Sequence, residues 1–226
     1  MGSSGVWKIR SEVCKESLRT VFENRYEAGG LLAEKLNKLK GEKNVVVLGI
    51  PRGGVITASV IASELILPLD VVIIRKIGAP YQKELAIGAV SEGGVRVLEE
   101  SLIKRLEVDE KYIQKAVKEN WREIKTRIKK FRGGKRLNLA GKSVVLVDDG
   151  IATGATIEAA IGFLKKEGAK KIILATPVAP RDTLSKLTKL VDEVVVLETP
   201  SDFRAVGQFY HDFPQVTDEE VVSLLK

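Results

Sequence analysis

The amino-acid sequence predicts an α/β fold with a doubly wound, mainly parallel β-sheet. Short runs of apolar, β-branched residues recur along the 226-residue chain, and amphipathic runs with helical spacing fill most of the intervals. Strands of a parallel sheet are buried on both faces, so they are continuously apolar rather than alternating. Five runs fit this description: residues 45–49, 70–75, 143–148, 171–176 and 193–197.

The composition is that of a single globular domain with additions. A length of 226 residues is enough to bury a sizeable core. Residues 1–5 resemble a cloning remnant, so the predicted domain covers residues 6–226. The single cysteine, Cys14, excludes an intramolecular disulfide and is expected to be a small buried residue. With no secretory pattern and no membrane-spanning run, the expected location is the cytoplasm.

The first apolar run is followed by a glycine-rich turn that enters a helical pattern. Arg52, Gly53 and Gly54 form this turn. The glycines free the backbone for unusual torsion angles, and the arginine brings a rigid fork of donors to a strand end. Taken alone, these residues fit a plain tight turn as well as an anion-binding loop.

Two adjacent cations, Arg75 and Lys76, follow the second apolar run. Cations at a strand end are either solvated or bind an anion. Ligands of parallel α/β sheets bind at the carboxyl ends of the strands. The loops after residues 49, 75 and 148 are therefore expected to converge on one site.

Residues 99–136 carry a long amphipathic helical pattern, which we interpret as an insertion. Residues 104–136 include 13 lysines and arginines against 5 acidic residues, so this segment carries the basicity of a chain whose net charge is +7. We favour a solvated helix packed on its own domain or on a sister subunit, with nucleic-acid contact as the alternative. Trp121 lies on the apolar stripe, which favours packing over base stacking.

The stretch 144–156 is the most specific feature, because two carboxylates precede a loop of small residues. Asp148 and Asp149 follow an apolar run, and a helical pattern follows the loop. The first amides of a helix have no internal partner and its dipole favours anions, so the loop predicts a phosphate site. Like charges repel, so the carboxylates would instead accept bonds from sugar hydroxyls or hold water around Mg²⁺. A phosphate beside a diol indicates a ribose 5-phosphate.

Other interpretations of this stretch fit less well. A Walker loop requires lysine after its last glycine, and here Ala155 follows Gly154. A dinucleotide-binding fingerprint needs spaced glycines that this loop lacks. The acidic residue of that fingerprint also lies well after the glycines, whereas Asp148 and Asp149 precede them. A helix cap would need only one aspartate.

The stretch 144–156 resembles the phosphoribosyl-diphosphate loop of the type I phosphoribosyltransferases. The resemblance implies that family's fold, with Asp148 and Asp149 on the ribose hydroxyls. It also implies phosphoribosyl diphosphate, pyrophosphate and a nucleobase as partners. The family's Mg²⁺ would be held near the two acids through substrate and water rather than directly by protein ligands. The 5-phosphate loop would be Ala152, Thr153, Gly154, Ala155 and Thr156, and the pyrophosphate loop, often built with a cis peptide, would be Arg52, Gly53 and Gly54.

The loop after Arg75 and Lys76 is similar to the flexible catalytic loop of adenine-type members, although its middle is shorter. Glu84 in this loop is a candidate for proton transfer at the base, with a surface glutamate as the alternative. Ala152 stands where hypoxanthine- and xanthine-guanine-type members carry an aspartate near the base. The resemblance therefore favours adenine- or uracil-type acceptors.

The C-terminal stretch 198–226 is expected to form a small hood over the site together with an N-terminal segment. The family's hood supplies an aromatic ring that stacks on the base, and Phe203 and Phe209 are the candidates here, with core packing as the alternative.

The expected function is Mg²⁺-dependent transfer of ribose 5-phosphate from phosphoribosyl diphosphate to a nitrogenous base in nucleotide salvage, by a homo-oligomer such as a homodimer. The alternative is a regulator that senses phosphoribosyl diphosphate and binds nucleic acid through residues 104–136. The residues predicted to carry catalysis are Glu84, Arg75, Lys76, Asp148 and Asp149.

Overall fold

A parallel sheet forms the centre of the computed structural model, which describes residues 21–226. The predictions for residues 1–5 and Cys14 fall outside this part of the chain. In spatial order the strands of the sheet are β2 (Leu69–Val71), β1 (Val45–Gly49), β6 (Ser143–Val147), β7 (Lys171–Val178) and β8 (Glu193–Glu198).

Helices cover both faces of this sheet, as the continuous apolar strands predict. One face packs against α1 (Arg25–Lys35) and α2 (Gly53–Leu65). The other packs against α5 (Ala155–Lys166) and α6 (Arg181–Leu187). The predicted doubly wound α/β class is therefore confirmed.

A second, antiparallel sheet follows the edge strand β2. It consists of β3 (Ile74–Gly78), β4 (Ala86–Ser91) and β5 (Arg96–Leu98). The predicted strand 70–75 is therefore wrong as a single strand, because it contains the end of β2 and the start of β3. The chain changes sheets at Ile73, whose amide donates to the Glu92 carboxylate at 3.0 Å and whose carbonyl accepts from the Glu92 amide at 2.9 Å. An uninterrupted apolar run gives no sign of this change of partner.

The insertion contains two helices rather than one continuous pattern. They are α3 (Glu100–Arg105) and α4 (Glu110–Arg132). The chain breaks between them at Glu107, which has a left-handed φ of 49°, and Asp109 caps α4 by accepting from the Lys111 amide at 2.9 Å. The apolar stripe of α4 packs on the chain's own domain, against α2, β3 and the C-terminal segment.

The C-terminal stretch 198–226 divides into two parts. The hood, defined here as residues 203–214 together with Phe22, contains a short 3-10 helix, Val206–Phe209. The chain then continues into α7 (Asp218–Leu224), which packs against α2 and α4. Within residues 21–226, no helix is long and apolar enough to cross a membrane.

Candidate active site

Two loops lie side by side at the carboxyl edge of the parallel sheet. β1 and β6 pair in register up to Gly49 opposite Val147, so the following loops leave the sheet together. The amide of Ile50 donates to the carbonyl oxygen of Val147 at 2.9 Å. The loops after residues 49 and 148 therefore converge as predicted.

The predicted pyrophosphate loop packs directly against the acidic pair. The peptide bond preceding Arg52 is cis, and α2 begins at Gly53. Any side chain at position 53 would collide with the Asp149 carboxylate, and a Cβ atom on Gly54 would lie 2.9 Å from the Cα atom of Asp148. Both positions need glycine because only a bare backbone permits this approach.

Arg25 of α1 binds the second carboxylate of the pair. Its Nε atom donates to Oδ2 of Asp149 at 2.7 Å, and its Nη1 atom donates to the carbonyl oxygen of Pro214 at 2.9 Å. The guanidinium also lies 3.7 Å from the centroid of the Phe213 ring. Only 6% of Arg25 is exposed, so this charge-assisted bond holds Asp149 in one orientation.

Arg25 was not predicted from the sequence, although it left a signal there. It is the first residue of α1 and follows the N-cap Asn24, whose side chain accepts bonds from two amides of the first turn. A cation is unfavourable at the positive end of a helix dipole. An arginine directly after a capping residue therefore indicates a partner outside the helix.

Asp148 lies in a desolvated position beside its neighbour. Burial and the charge of Asp149 raise the pKa of Asp148 well above its ordinary value, and the charge of Lys76 partly opposes this shift. The Oδ1 atom of Asp148 accepts from the Asp149 amide at 3.0 Å. The prediction of a loop directly after residue 75 is wrong, because Arg75 and Lys76 lie within strand β3. The charge of Lys76 nevertheless acts on Asp148, so β3 contributes to this site.

Tyr210 connects the acidic pair to the hood. Its hydroxyl donates to the carbonyl oxygen of Asp149 at 2.5 Å, and its ring centroid lies 5.5 Å from Phe22 and 4.9 Å from Phe213. Burial and the charge of Asp149 raise the pKa of Tyr210. The hydroxyl therefore stays protonated and serves as a fixed donor. Nothing in the sequence pattern distinguished this tyrosine from its aromatic neighbours.

The predicted 5-phosphate loop leads into the N-terminus of α5. Ala152 and Thr153 are exposed, and Gly154 has a φ of 86°, which favours glycine. Within residues 21–226, no side chain caps the first amides of α5, so these amides can bind an anion. The Thr183 hydroxyl of α6, which was not predicted, donates to the Ala152 carbonyl at 2.7 Å and steadies the loop.

The hood covers the acidic loop with aliphatic and aromatic side chains. A Cβ atom on Gly150 would collide with Val206, so the hood contacts the loop directly. Phe203 is half-buried, and its ring stacks on Phe209 with centroids 5.4 Å apart. Phe209 itself is only 6% exposed and packs within the hood, which leaves little of its ring for a base.

The predicted cations and Glu84 are located on the side of the insertion. An Nη1 atom of Arg52 lies 3.9 Å from Oδ1 of Asp218 in α7, and Nη2 of Arg75 lies 2.5 Å from Oε2 of Glu123 in α4. Glu84 is exposed in the hairpin tip between β3 and β4, and no hydrogen bond or ion pair connects it to another described residue.

The donor set of the site fits a Mg²⁺ ion that is shared with substrate and water. Among residues 21–226 there is no group of three or more His, Cys, Asp or Glu side chains that could hold a metal alone. Asp148 and Asp149 offer carboxylate oxygens, which are hard ligands of the kind that Mg²⁺ binds one or two at a time beside substrate phosphates.

Comparison with known proteins identifies relatives over most of the chain. A family model for the phosphoribosyl transferase domain matches residues 21–214. A candidate phosphoribosyl transferase of Mycobacterium tuberculosis is 45% identical over 206 residues, which are 91% of this chain and 46% of that protein. The chain thus spans about half the length of the curated relatives it matches.

Two further relatives cover different shares of the chain. The crystal structure of TT1426 from Thermus thermophilus is 42% identical and has a TM-score of 0.74, covering 91% of this chain and 97% of that one. A ribose-phosphate pyrophosphokinase of Pyrococcus furiosus is 38% identical over 65 residues, which are 28% of this chain and 23% of that protein.

Proposed function

Because the chain belongs to the phosphoribosyl transferase domain family, we propose that it transfers ribose 5-phosphate from phosphoribosyl diphosphate to a nitrogenous base and releases pyrophosphate. The resemblance inferred from residues 144–156 is confirmed by this membership. One observation carries the proposal: the acidic pair lies between a glycine loop packed against it and a helix N-terminus whose first amides no side chain caps.

Each part of the donor has a matching set of residues. The 5-phosphate binds the amides and hydroxyls of residues 152–156 at the start of α5. The ribose hydroxyls donate to the carboxylates of Asp148 and Asp149. The diphosphate lies against Arg52 and the two glycines that follow it, with Arg75 and Lys76 adding positive charge.

The reaction exchanges one bond at C1 of the ribose for another. The bond from C1 to the diphosphate oxygen breaks and its electron pair leaves with pyrophosphate. The ring nitrogen of the acceptor bonds to C1 and releases its proton. The protein contributes by positioning the two reactants and by placing fixed charges beside the ribosyl cation and the leaving group.

The two carboxylates have different environments and therefore different tasks. Asp149 is fixed by Arg25, so it offers the ribose a rigid acceptor. Asp148 is desolvated, so in its ionised form it acts strongly on a cation that develops on the sugar ring. Mg²⁺ bound near these acids through water and substrate oxygens would neutralise charge on the departing diphosphate.

The acceptor is proposed to be an adenine- or uracil-type base, since Ala152 takes the place of an aspartate. A role in nucleotide salvage and a homodimeric assembly remain predictions. The regulator alternative gains no support from the insertion, because the apolar stripe of α4 packs on its own domain and Lys130 and Arg132 are paired with acids.

The proposal is tested by pyrophosphate release from phosphoribosyl diphosphate with Mg²⁺ and a panel of nucleobases, together with calorimetric titration of the donor. Replacement of Asp148 and Asp149 by asparagine should weaken donor affinity by roughly 100-fold or more, because each loses a charge-assisted bond. Glu34 and Glu64 are exposed acids on α1 and α2, and their replacement by glutamine is the matched control.

Two results would contradict the proposal. One is unchanged donor affinity in the double asparagine variant, because unchanged binding would itself show that the variant is folded. The other is the absence of donor binding and of pyrophosphate release in the unsubstituted chain with every base.

A further inference from the structure

One face of helix α4 borders the candidate active site with polar side chains. Asn120, Glu123, Arg127 and Lys130 follow one another at helical spacing, so they share this face. The Nδ2 atom of Asn120 donates to the carbonyl oxygen of Lys76 at 3.0 Å. The polar face therefore runs beside β3, the strand that carries two of the predicted cations.

The neighbours of Arg127 along this face fix its location. One turn earlier, Glu123 pairs with Arg75 of β3 at 2.5 Å. One turn later, Lys130 contacts Asp218 of α7 at 3.0 Å, and Asp218 lies 3.9 Å from Arg52. Arg127 is consequently situated between the strand with Arg75 and the loop with Arg52.

Arg127 is a half-buried cation with no counter-charge in contact. Within residues 21–226 it makes no hydrogen bond or ion pair, although its residue is only partly exposed. Burial and the charges of Arg75 and Arg52 lower the pKa of Arg127, while Asp218 and Glu123 oppose this effect. Desolvating a charge costs free energy unless a partner compensates. This position is therefore unfavourable in the free protein and becomes favourable when an anion binds.

The local charge balance also favours an anion. Asp218 is compensated by Lys130, and Glu123 is compensated by Arg75. Even so, the Nε atom of Arg75 is buried without a hydrogen-bond partner among the described residues. Of the cations on this side of the site, Lys76 and Arg127 contact no acid among residues 21–226.

We propose that Arg127 is a diphosphate-binding residue, which the insertion supplies to the active site beside Arg52 and Arg75. This inference rests on the proposed function, because the diphosphate is assigned to the loop of Arg52. A guanidinium binds phosphate oxygens through two parallel donors. Arg127 thus holds the leaving group and stabilises its charge as the bond to C1 breaks.

The diphosphate fits this position better than an anionic group on the acceptor does. The hood contacts the acidic loop through Val206 and reaches Asp149 through Tyr210. An acceptor covered by the hood lies on that side. Arg127 lies near Arg52 and Arg75 instead, where the leaving group departs. An acceptor carboxylate is thus an alternative outcome of the test and not part of the proposal.

The experiment compares three ligands in calorimetric titrations at constant Mg²⁺: pyrophosphate, phosphoribosyl diphosphate and ribose 5-phosphate. Arg127→Gln should weaken the first two by roughly 10- to 100-fold, the range expected for one charge-assisted contact. Ribose 5-phosphate lacks the diphosphate, so its affinity should change less than about twofold. Arg127→Lys keeps the charge but loses the two-pronged geometry, and it should recover part of the affinity.

The control is Arg122→Gln, which removes an exposed arginine from the same helix and changes the net charge equally. Equal affinities of the Arg127→Gln and Arg122→Gln proteins for pyrophosphate would overturn the inference and leave the proposed function intact. Unchanged pyrophosphate affinity with a higher KM for the acceptor would reassign Arg127 to the base and also overturn it. If the unsubstituted chain binds neither diphosphate ligand, the proposed function fails and this inference fails with it.

Discussion

The two sides of the candidate site differ in how their charges are compensated. On the hood side, Arg25, Asp149 and Tyr210 are largely buried and bonded to one another or to the backbone. On the insertion side, Arg127 is half-buried without a partner, and Arg52 contacts an acid only at 3.9 Å. The first side is complete without a ligand, whereas the second is not.

This difference teaches where the site is preorganised. The groups that we propose meet the ribose are held by contacts that already exist in the free protein, which costs no reorganisation during the reaction. The groups that we propose meet the leaving diphosphate repel one another until an anion binds. Substitutions on the hood side should therefore affect stability and binding together, and those on the insertion side should affect binding alone.

The largest expected effect is that of Arg25→Met. It removes both hydrogen bonds of the guanidinium and leaves a mostly buried carboxylate without its cation, and breaking a buried pair costs about 3–5 kcal/mol. We expect the free energy of unfolding in urea to fall by about 3 kcal/mol and donor affinity to be lost. Arg105→Met, at an exposed arginine of α3, should change neither quantity. Equal stability of the two variants would contradict the claim that the ion pair between Arg25 and Asp149 stabilises the hood side.

The next largest effect is an increase in folding stability, which we expect for Asp148→Asn. Because the folded-state pKa of Asp148 is raised above its ordinary value of 3.8, the unfolded chain releases this proton at a lower pH than the folded protein does. Stability is therefore lost as pH rises from about 4 through the folded-state pKa, by roughly 1.4 kcal/mol for each unit of the shift. Asparagine keeps the acceptor for the Asp149 amide and removes the charge.

Thermal unfolding at pH 4, 6 and 8 checks this prediction. The Asp148→Asn variant should match the unsubstituted protein at pH 4 and become increasingly more stable than it at higher pH, while losing donor affinity. A variant less stable than the unsubstituted protein at pH 8 would contradict the desolvation of Asp148. The outcome also separates the two acids, since Asp149→Asn loses the Arg25 bond and should destabilise the fold.

The sequence predicted the parts of the site that local pattern determines. Asp148 and Asp149 follow a buried strand, and Gly154 precedes a helical pattern, so a strand, loop and helix could be read directly. The two loops meet because β1 and β6 are neighbouring strands. This meeting was predictable because ligands of parallel α/β sheets bind at the carboxyl ends of the strands. The break in the insertion at Glu107 was missed because the apolar spacing continues across it.

The contacts that complete the site were not predictable, because they depend on long-range packing. Arg25 and Asp149 are 124 residues apart, and Tyr210 and Asp149 are 61 residues apart. No local spacing records such pairs. Likewise, the basic content of residues 104–136 did not reveal that Arg127 lies near Arg75 and Arg52, since that depends on which face of α4 meets β3.

A matched pair of tyrosines compares the two sides at a smaller scale. Tyr210→Phe removes the bond to the Asp149 carbonyl, and Tyr112→Phe removes a bond of 2.9 Å from the insertion to the Gly78 carbonyl. Each should cost about 1 kcal/mol of unfolding free energy, the typical value of one neutral hydrogen bond. Only Tyr210→Phe should also weaken ribose 5-phosphate binding several-fold, because it loosens the backbone of the acidic pair. Equal calorimetric affinities in the two variants would remove the distinction between the sides.

The smallest expected effect on stability is that of Arg127→Gln. Its size shows whether Arg127 is bound within the free protein. Arg127 lacks a contact partner among the described residues and lies near two other guanidinium groups, so its removal relieves repulsion instead of breaking a bond. The midpoint of urea denaturation should stay unchanged or rise slightly without ligand. With saturating pyrophosphate, which stabilises the folded state in proportion to the logarithm of its affinity, the variant should gain less stability than the unsubstituted protein. A marked loss of stability without ligand would mean that Arg127 is bound within the protein, and the insertion side would then be as complete as the hood side.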